Sequence, residues 1–176
     1  MKIAITGKMC SGKSTLANKI VEKDQRYQIF SFGGKVKEVA TDLFNMKQKD
    51  RTLLVSIGTK MREIDPDVWT NYVIKQTEGL THCIIDDLRY QNEYEALSNA
   101  GFEIIQLVID EKSQKKRIIE SYPNNYQDHL NNCEHSSEKN TFNWLPHDEP
   151  IIINTDTNNT EKIMNIINNH YQGQLF

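Results

Sequence analysis

Apolar residues follow two rhythms along this chain. Short apolar runs of strand length fall at Lys2–Thr6, Gln28–Phe32, His82–Asp86, Phe102–Ile109 and Ile151–Ile153. Between them, apolar positions recur every three or four residues, the spacing of a helix with one buried face. Helices are predicted at about Gly12–Lys23, from the Gly33-Gly34 break to about Asn45, and over Arg51–Ile64. In the last of these, Leu53, Leu54, Ile57 and Met61 share a face. Asp65-Pro66-Asp67 reads as a turn and helix start with Pro at an early helical position, leading through Trp69, Tyr72 and Val73 to about Thr77. Gly79 ends that helix. Tyr90–Ala100 follows, with Gly101 in the C′ place that tolerates left-handed backbone. Glu111–Tyr122 is a basic helix, and Asn158–Tyr171 closes the chain with Ile163, Ile166 and Ile167 on its apolar face. Alternating strands and helices predict an α/β fold, a mainly parallel five-stranded sheet covered on both faces. Pro123–His147 is polar, Asn-rich and poorly periodic, which predicts either disorder or a functional lid.

The 176 residues show no internal repeat and no second domain, so a single domain over 1–176 is expected. A net charge of −3 argues against a nucleic-acid partner, because such a surface would be basic. No run approaches the ~20 apolar residues of a membrane span. The first residues read as a core strand rather than a leader. Three scattered cysteines give no disulfide framework, and a reducing, cytoplasmic compartment is expected.

The chemistry begins at Gly7-Lys8-Met9-Cys10-Ser11-Gly12-Lys13-Ser14, the pattern G-x-x-x-x-G-K-[ST]. A strand precedes it and a helix follows, the context that aims backbone N–H groups at a polyphosphate. Gly7, Cys10, Ser11, Gly12, Lys13, Ser14 and Thr15 are therefore expected at an ATP site. Lys13 supplies a point charge to the terminal phosphates and Ser14 a hydroxyl to Mg²⁺. Cys10 lies near a helix N-terminus, which lowers a thiol pKa.

Asp86-Asp87 ends an apolar strand, where phosphoryl transfer needs a carboxylate for Mg²⁺; the residues do not say which acid serves. Arg89 follows, and Glu93 lies four positions on, at the spacing of a helix-face pair. Arg89 fits a phosphate clamp, since Arg binds phosphate with two N–H groups and stays charged. Gly58 sits inside an apolar helix, where it costs ~1 kcal/mol against Ala, so a close neighbour is expected there. Arg62 suits a phosphate, and Trp69 either a base site or the core. Lys115-Lys116-Arg117 is either a solvated basic face or a lid cluster that neutralises the transferring group. His129, Cys133 and His135 have irregular spacing and do not make a zinc motif.

The ordered string Leu53-Leu54-x-x-Ile57-Gly58-Thr59-x-x-Arg62-x-Ile64-Asp65-Pro66-Asp67-Val68-Trp69-x-Asn71 resembles the viral and phage deoxynucleoside monophosphate kinases. So do Asp87-Leu88-Arg89-Tyr90-x-Asn92-Glu93 and His135-Ser136-Ser137-Glu138, in the family's order behind the phosphate loop. The likeness covers most of Met1 to Asn154 and is weakest between Tyr122 and Asn132. Phosphomevalonate kinases of the metazoan type are similar more distantly, through Gly34-x-Val36-Lys37-Glu38 and the Asp-x-Arg element. Where the family has Gly-Pro-Leu-Lys, this chain has Gly34-Lys35-Val36-Lys37, which leaves the choice of base open.

The resemblance implies a P-loop NTPase three-layer α/β/α sandwich, with monophosphate-binding helices over about 33–78 and a lid over about 112–147. It implies direct in-line transfer of the ATP γ-phosphoryl group to a deoxynucleoside monophosphate. Lys13, Asp87 and Arg89 are then catalytic, and Ser14, Asp86 and Asp87 lie on the metal side. Lys37, Arg62, Trp69, Arg89, Asn92, Glu93, Arg117, His135 and Glu138 are expected around the substrate. A homodimer is suggested, in a host cytoplasm if the source is viral. The competing readings are a kinase for phosphomevalonate or dephospho-coenzyme A, a GTP switch, and an inactive nucleotide-binding scaffold. The switch lacks an N-K-x-D motif, since Asn154-Thr155-Asp156 has neither the Lys nor the spacing.

Overall fold

The N-terminal apolar run becomes the middle strand of a five-stranded, all-parallel sheet in the computed structural model, which describes residues 1–131, 133, 142–146 and 149–171. The strands are β1 (Lys2–Gly7), β2 (Gln28–Phe30), β3 (Cys83–Leu88), β4 (Phe102–Val108) and β5 (Ile151–Asn154), in the order β2-β3-β1-β4-β5. Eight helices lie among the described residues: α1 (Lys13–Lys23), α2 (Phe32–Phe44), α3 (Arg51–Ile64), α4 (Val68–Gln76), α5 (Gln91–Asn99), α6 (Glu111–Ser121), α7 (Tyr126–Asn131) and α8 (Thr160–His170).

Strand alternation divides the core in two, because successive side chains point to opposite faces. Ile3 and Ile5 face one side with Ile84, Ile105 and Leu107, where α1 and α8 cover them. Ala4 faces the other side with Ile85 and Ile104, under α2, α4 and α5. Each of these fully buried Ile side chains contributes about 1.5–3 kcal/mol. The chain 142–146 also joins the second face. Trp144 and Phe142 pack edge-on against Tyr94, and the Leu145 N–H donates to the Tyr94 hydroxyl at 2.8 Å. The Gln91 amide both donates to the Asn143 carbonyl (3.2 Å) and accepts from its N–H (3.0 Å). No described helix is long and apolar enough to cross a membrane.

Four local expectations change. The strand predicted to Phe32 stops at Phe30, because Ser31 caps α2 by accepting the Gly34 N–H. Gly33-Gly34 therefore opens a helix rather than breaking a strand. Pro66 lies before the cap residue Asp67, outside α4. On α8 Met164 is 2% exposed and takes the core place expected of Ile166, which is 39% exposed. Finally, β3 runs on to Leu88, and its pairing with β1 slips between Ala4↔Ile85 and Thr6↔Leu88. Three steps on β3 oppose two on β1, a bulge at Asp86-Asp87, and bulges re-aim side chains.

Candidate active site

All strands are parallel, so the carboxyl ends of β1, β2 and β3 open on one edge of the sheet, where such folds bind ligands. At the end of β1 the chain turns through Gly7, with φ +146°; a Cβ there would lie 2.4 Å from the Leu107 carbonyl oxygen. Cys10 takes a left-handed φ of 61°, and Gly12 caps α1 with no side-chain acceptor for the first-turn N–H groups. No acidic residue sits in that turn, which leaves its positive end suited to an anion. Lys13 is buried and its ammonium donates to the carbonyls of Gly7 (2.7 Å) and Lys8 (2.8 Å). The Ser11 hydroxyl is fully buried and has no hydrogen-bond partner among the described residues. The loop is shaped for a polyphosphate before one arrives.

The bulge in β3 separates the two acids. Asp86 accepts the Ser14 hydroxyl at 2.7 Å. Asp87 turns the other way and accepts the N–H groups of Phe32 (3.0 Å) and Gly33 (2.9 Å), holding the start of α2. Burial pushes the Asp87 carboxyl above the ordinary carboxylate range and the Asp86 charge adds to this, against those two N–H groups and Arg89. Ser14 and Asp86 together offer hard oxygens beside the loop, the donor type Mg²⁺ takes.

Between α2, α3 and the β3–α5 connection lies a cavity of about 260 Å³. Its walls carry Lys37, Arg51, Arg62 and Arg89 against the carboxylates of Asp87 and Glu93, with an apolar side of Phe32, Val36 and Leu54. Glu93 is 2% exposed. One of its oxygens accepts the backbone N–H groups of Arg89 (3.0 Å) and Tyr90 (3.1 Å), reaching back over the start of α5. The other lies 3.5 Å from the Arg62 guanidinium. Burial raises Glu93 to about 7, in spite of those N–H groups and Arg62. The Arg89–Glu93 side-chain pair, the alternative that their spacing allowed to a phosphate clamp, is thus replaced by a backbone contact, and Arg62 is the ion-pair partner. Arg62 also lies 4.7 Å over the Tyr90 ring and donates to the Gly58 carbonyl at 3.2 Å. A Cβ on Gly58 would come 3.4 Å from that guanidinium, an ordinary contact with a flexible side-chain tip.

The structure brings Lys37, Arg62, Arg89, Asp87 and Glu93 around one cavity and places other candidates elsewhere. Trp69 is 3% exposed and is not among the residues lining this cavity; its indole N–H donates to the same Gly58 carbonyl at 3.2 Å, so it holds the wall from beneath. Asn92 donates to Asp67 (2.8 Å) and to the Pro66 carbonyl (3.3 Å), bracing α5 on the α3–α4 turn. Arg117 lies across the phosphate loop, at a second cavity of about 540 Å³ lined also by Ser11, Gly12 and Thr15. It donates to the carbonyls of Cys10 (3.3 Å) and Thr155 (2.7 Å), so α6 presents it to the loop and the β5–α8 turn rather than to the first cavity. His135 and Glu138 lie outside the described residues. Sequence reasoning missed Arg51. The signal was there: positions 51, 55, 58 and 62 follow the i, i+4, i+7, i+11 spacing of one helix face, and all four line the cavity.

A family model described as an AAA domain matches residues 3–138. No curated protein matches the chain. Among solved structures, a sugar kinase from Janibacter sp. HTCC2649 superposes with a TM-score of 0.60 at 13% identity, over 99% of this chain and 95% of that one. A kinase candidate from Chloroflexus aurantiacus gives 0.58 at 19% identity, over 96% of each chain. An uncharacterized protein from Eubacterium ventriosum gives 0.52 at 19% identity, over 96% of this chain and 98% of that one. These likenesses establish a P-loop kinase-like fold. The family match runs from β1 through the phosphate loop, both β3 acids and α5 and spans well over half of the sequence, so the chain belongs to the AAA domain family.

Proposed function

We propose that this protein is an ATP-dependent kinase that transfers the γ-phosphoryl group to the phosphate of a deoxynucleoside monophosphate. The observation that carries this is the charge and occupancy of the 260 Å³ cavity: four cationic side chains face two carboxylates, and both carboxylates already accept backbone N–H groups. A sugar hydroxyl, the acceptor suggested by the Janibacter kinase, needs a base to take its proton and neutral partners to orient it. A phosphate oxygen is already ionised and needs neither. It needs cations, and the cavity supplies them. The apolar side formed by Phe32, Val36 and Leu54 suits a flat, largely apolar group attached to that phosphate. The deoxynucleoside itself is supported by the ordered motifs from Leu53 to Asn71 and from Asp87 to Glu93.

In this reading the loop N–H groups, Lys13 and Thr15 hold the donor phosphates, and the second cavity beside Arg117 takes the rest of the donor. Ser14 and Asp86 hold Mg²⁺, which when bound neutralises phosphate charge. The acceptor oxygen forms a new P–O bond as the bond from the γ-phosphorus to the β,γ-bridging oxygen breaks, and ADP leaves. Arg89, Arg62 and Lys37 orient the acceptor and stabilise the spreading charge. Asp87 and Glu93 fix α2, α5 and Arg62 in place, while Trp69 and Asn92 act from behind. The helices over 33–78 form the acceptor side of a single kinase domain. His135 and Glu138 belong to its lid on the resemblance alone.

The test is ADP release with Mg·ATP over a panel of ribo- and deoxyribonucleoside monophosphates, hexoses, phosphomevalonate and dephospho-coenzyme A. Turnover confined to deoxynucleoside monophosphates is expected. Turnover with hexoses alone overturns the phosphate-acceptor reading, and turnover with phosphomevalonate or dephospho-coenzyme A alone overturns the nucleotide part.

A further inference from the structure

We infer that Arg51 is a further acceptor-binding residue, whose guanidinium serves the cavity while His129 ties it to α7. The inference rests on the phosphate-acceptor reading and adds a residue that the motifs did not contain. Arg51 is the first residue of α3 and lines the cavity with Lys37, Arg62 and Arg89. A cation at that position opposes the helix dipole; Asp50, the acid at that end, is engaged in capping the helix, accepting the Leu53 N–H at 2.9 Å. Lys37 and Lys49 add to the same positive region. Like-charge repulsion from Lys37 and Arg51, with partial burial as the larger cause, lowers the Lys49 pKa. Among the described residues no carboxylate lies within ion-pair distance of these three side chains. Three cations gathered with no carboxylate in direct contact are a cost that a bound dianion reduces.

Among the described residues Arg51 has one hydrogen-bond partner, and it is neutral. Its Nη1 lies 3.2 Å from Nδ1 of His129, and a guanidinium can only donate. Nδ1 therefore accepts, and the imidazole proton sits on Nε2. His129 is 6% exposed and stacks on Tyr122 of the α6–α7 turn at 3.9 Å between ring centres. One N–H of the guanidinium fork is spent on α7; the others remain for an anion in the cavity. The same side chain that meets the acceptor thus sets where α7 lies.

The experiment is calorimetric titration of the four common deoxynucleoside monophosphates into the full chain and three variants, with hydrogen exchange of residues 126–131 followed alongside. Arg51→Ala is expected to weaken the tightest of these ligands about tenfold or more, the loss of a charge-assisted bond to an anion. Arg51→Lys keeps the charge without the fork, guards against a folding defect, and is expected to fall between. His129→Gln can still accept from Arg51 and is expected to bind within about threefold of wild type, whereas Arg51→Ala speeds exchange in α7. Equal affinity in wild type and Arg51→Ala overturns the assignment. So does an equal loss in His129→Gln and Arg51→Ala, because Arg51 then acts only through α7. If wild type binds none of the four, the acceptor reading itself falls, and this inference with it.

Discussion

Replacing Glu93 by Gln isolates a single buried charge. The carboxyl is 2% exposed, and burial lifts it from an ordinary 4.5 to about 7. A folded-state value above the unfolded one means that the native protein holds the proton more tightly. The resulting stabilisation is complete below the unfolded value, and it is lost as pH rises through about 7. At ~1.4 kcal/mol for each tenfold change in proton affinity, the loss amounts to about 3 kcal/mol. A glutamine cannot ionise, so the variant escapes it. Its amide N–H₂ must find a place where Glu93 accepts two backbone N–H groups, so its stability at acid pH, where the wild-type carboxyl is also neutral, falls somewhat below wild type. The diagnostic is therefore the difference between the two proteins, measured by urea denaturation across the pH range. Other carboxylates, Asp87 among them, titrate in both proteins and largely cancel. The variant is expected to gain about 3 kcal/mol on wild type between roughly pH 4 and pH 8. A difference that stays constant within about 1 kcal/mol over that range would show that Glu93 ionises normally, and would refute the desolvation argument.

Arg89→Ala is expected to cut turnover a hundredfold or more while ATP affinity changes less than about threefold, read from steady-state kinetics and nucleotide titration; ordinary turnover removes Arg89 from the site. The two neighbouring acids are expected to fail differently. Asp86→Ala should raise the Mg²⁺ needed for half-maximal activity by about tenfold or more with little change in melting temperature. Asp87→Ala, which strips two N–H groups of their acceptor, should cost about 1–3 kcal/mol in denaturation. Identical phenotypes for the pair contradict the divergence seen at the bulge. Gly7→Ala forces a Cβ to 2.4 Å from a carbonyl oxygen at φ +146°, and is expected to lower stability by about 1–3 kcal/mol and abolish nucleotide binding. A variant that melts and binds like wild type shows that the loop is less tight than described.

Much of this was legible from local pattern. The bounds of α3 follow from its apolar spacing, and the phosphate loop from its glycines and flanking elements. What escaped depends on direction in space. Which acid meets Ser14 is decided by one extra residue in β3, a register event that no single-strand pattern records. Arg117 looked like part of a basic face because its neighbours Lys115 and Lys116 are surface cations paired to Glu111 and Glu120, yet it alone turns inward. Trp69 had two readings that helical spacing could not separate, and burial under Gly58 separates them. Arg51 was readable but overlooked, since a cation at a helix start looks like an ordinary surface residue until its face is counted against Gly58 and Arg62.

The chain has two tryptophans, and both lie on the same side of the sheet: Trp69 sealed beneath Gly58, Trp144 edge-on to Tyr94 above α5. The face packed by α1 and α8 has none. Intrinsic emission is consequently a one-sided optical gauge. It registers loosening around the helices that flank the 260 Å³ cavity, and it is largely blind to melting of the opposite layer, which needs an engineered fluorophore to be followed.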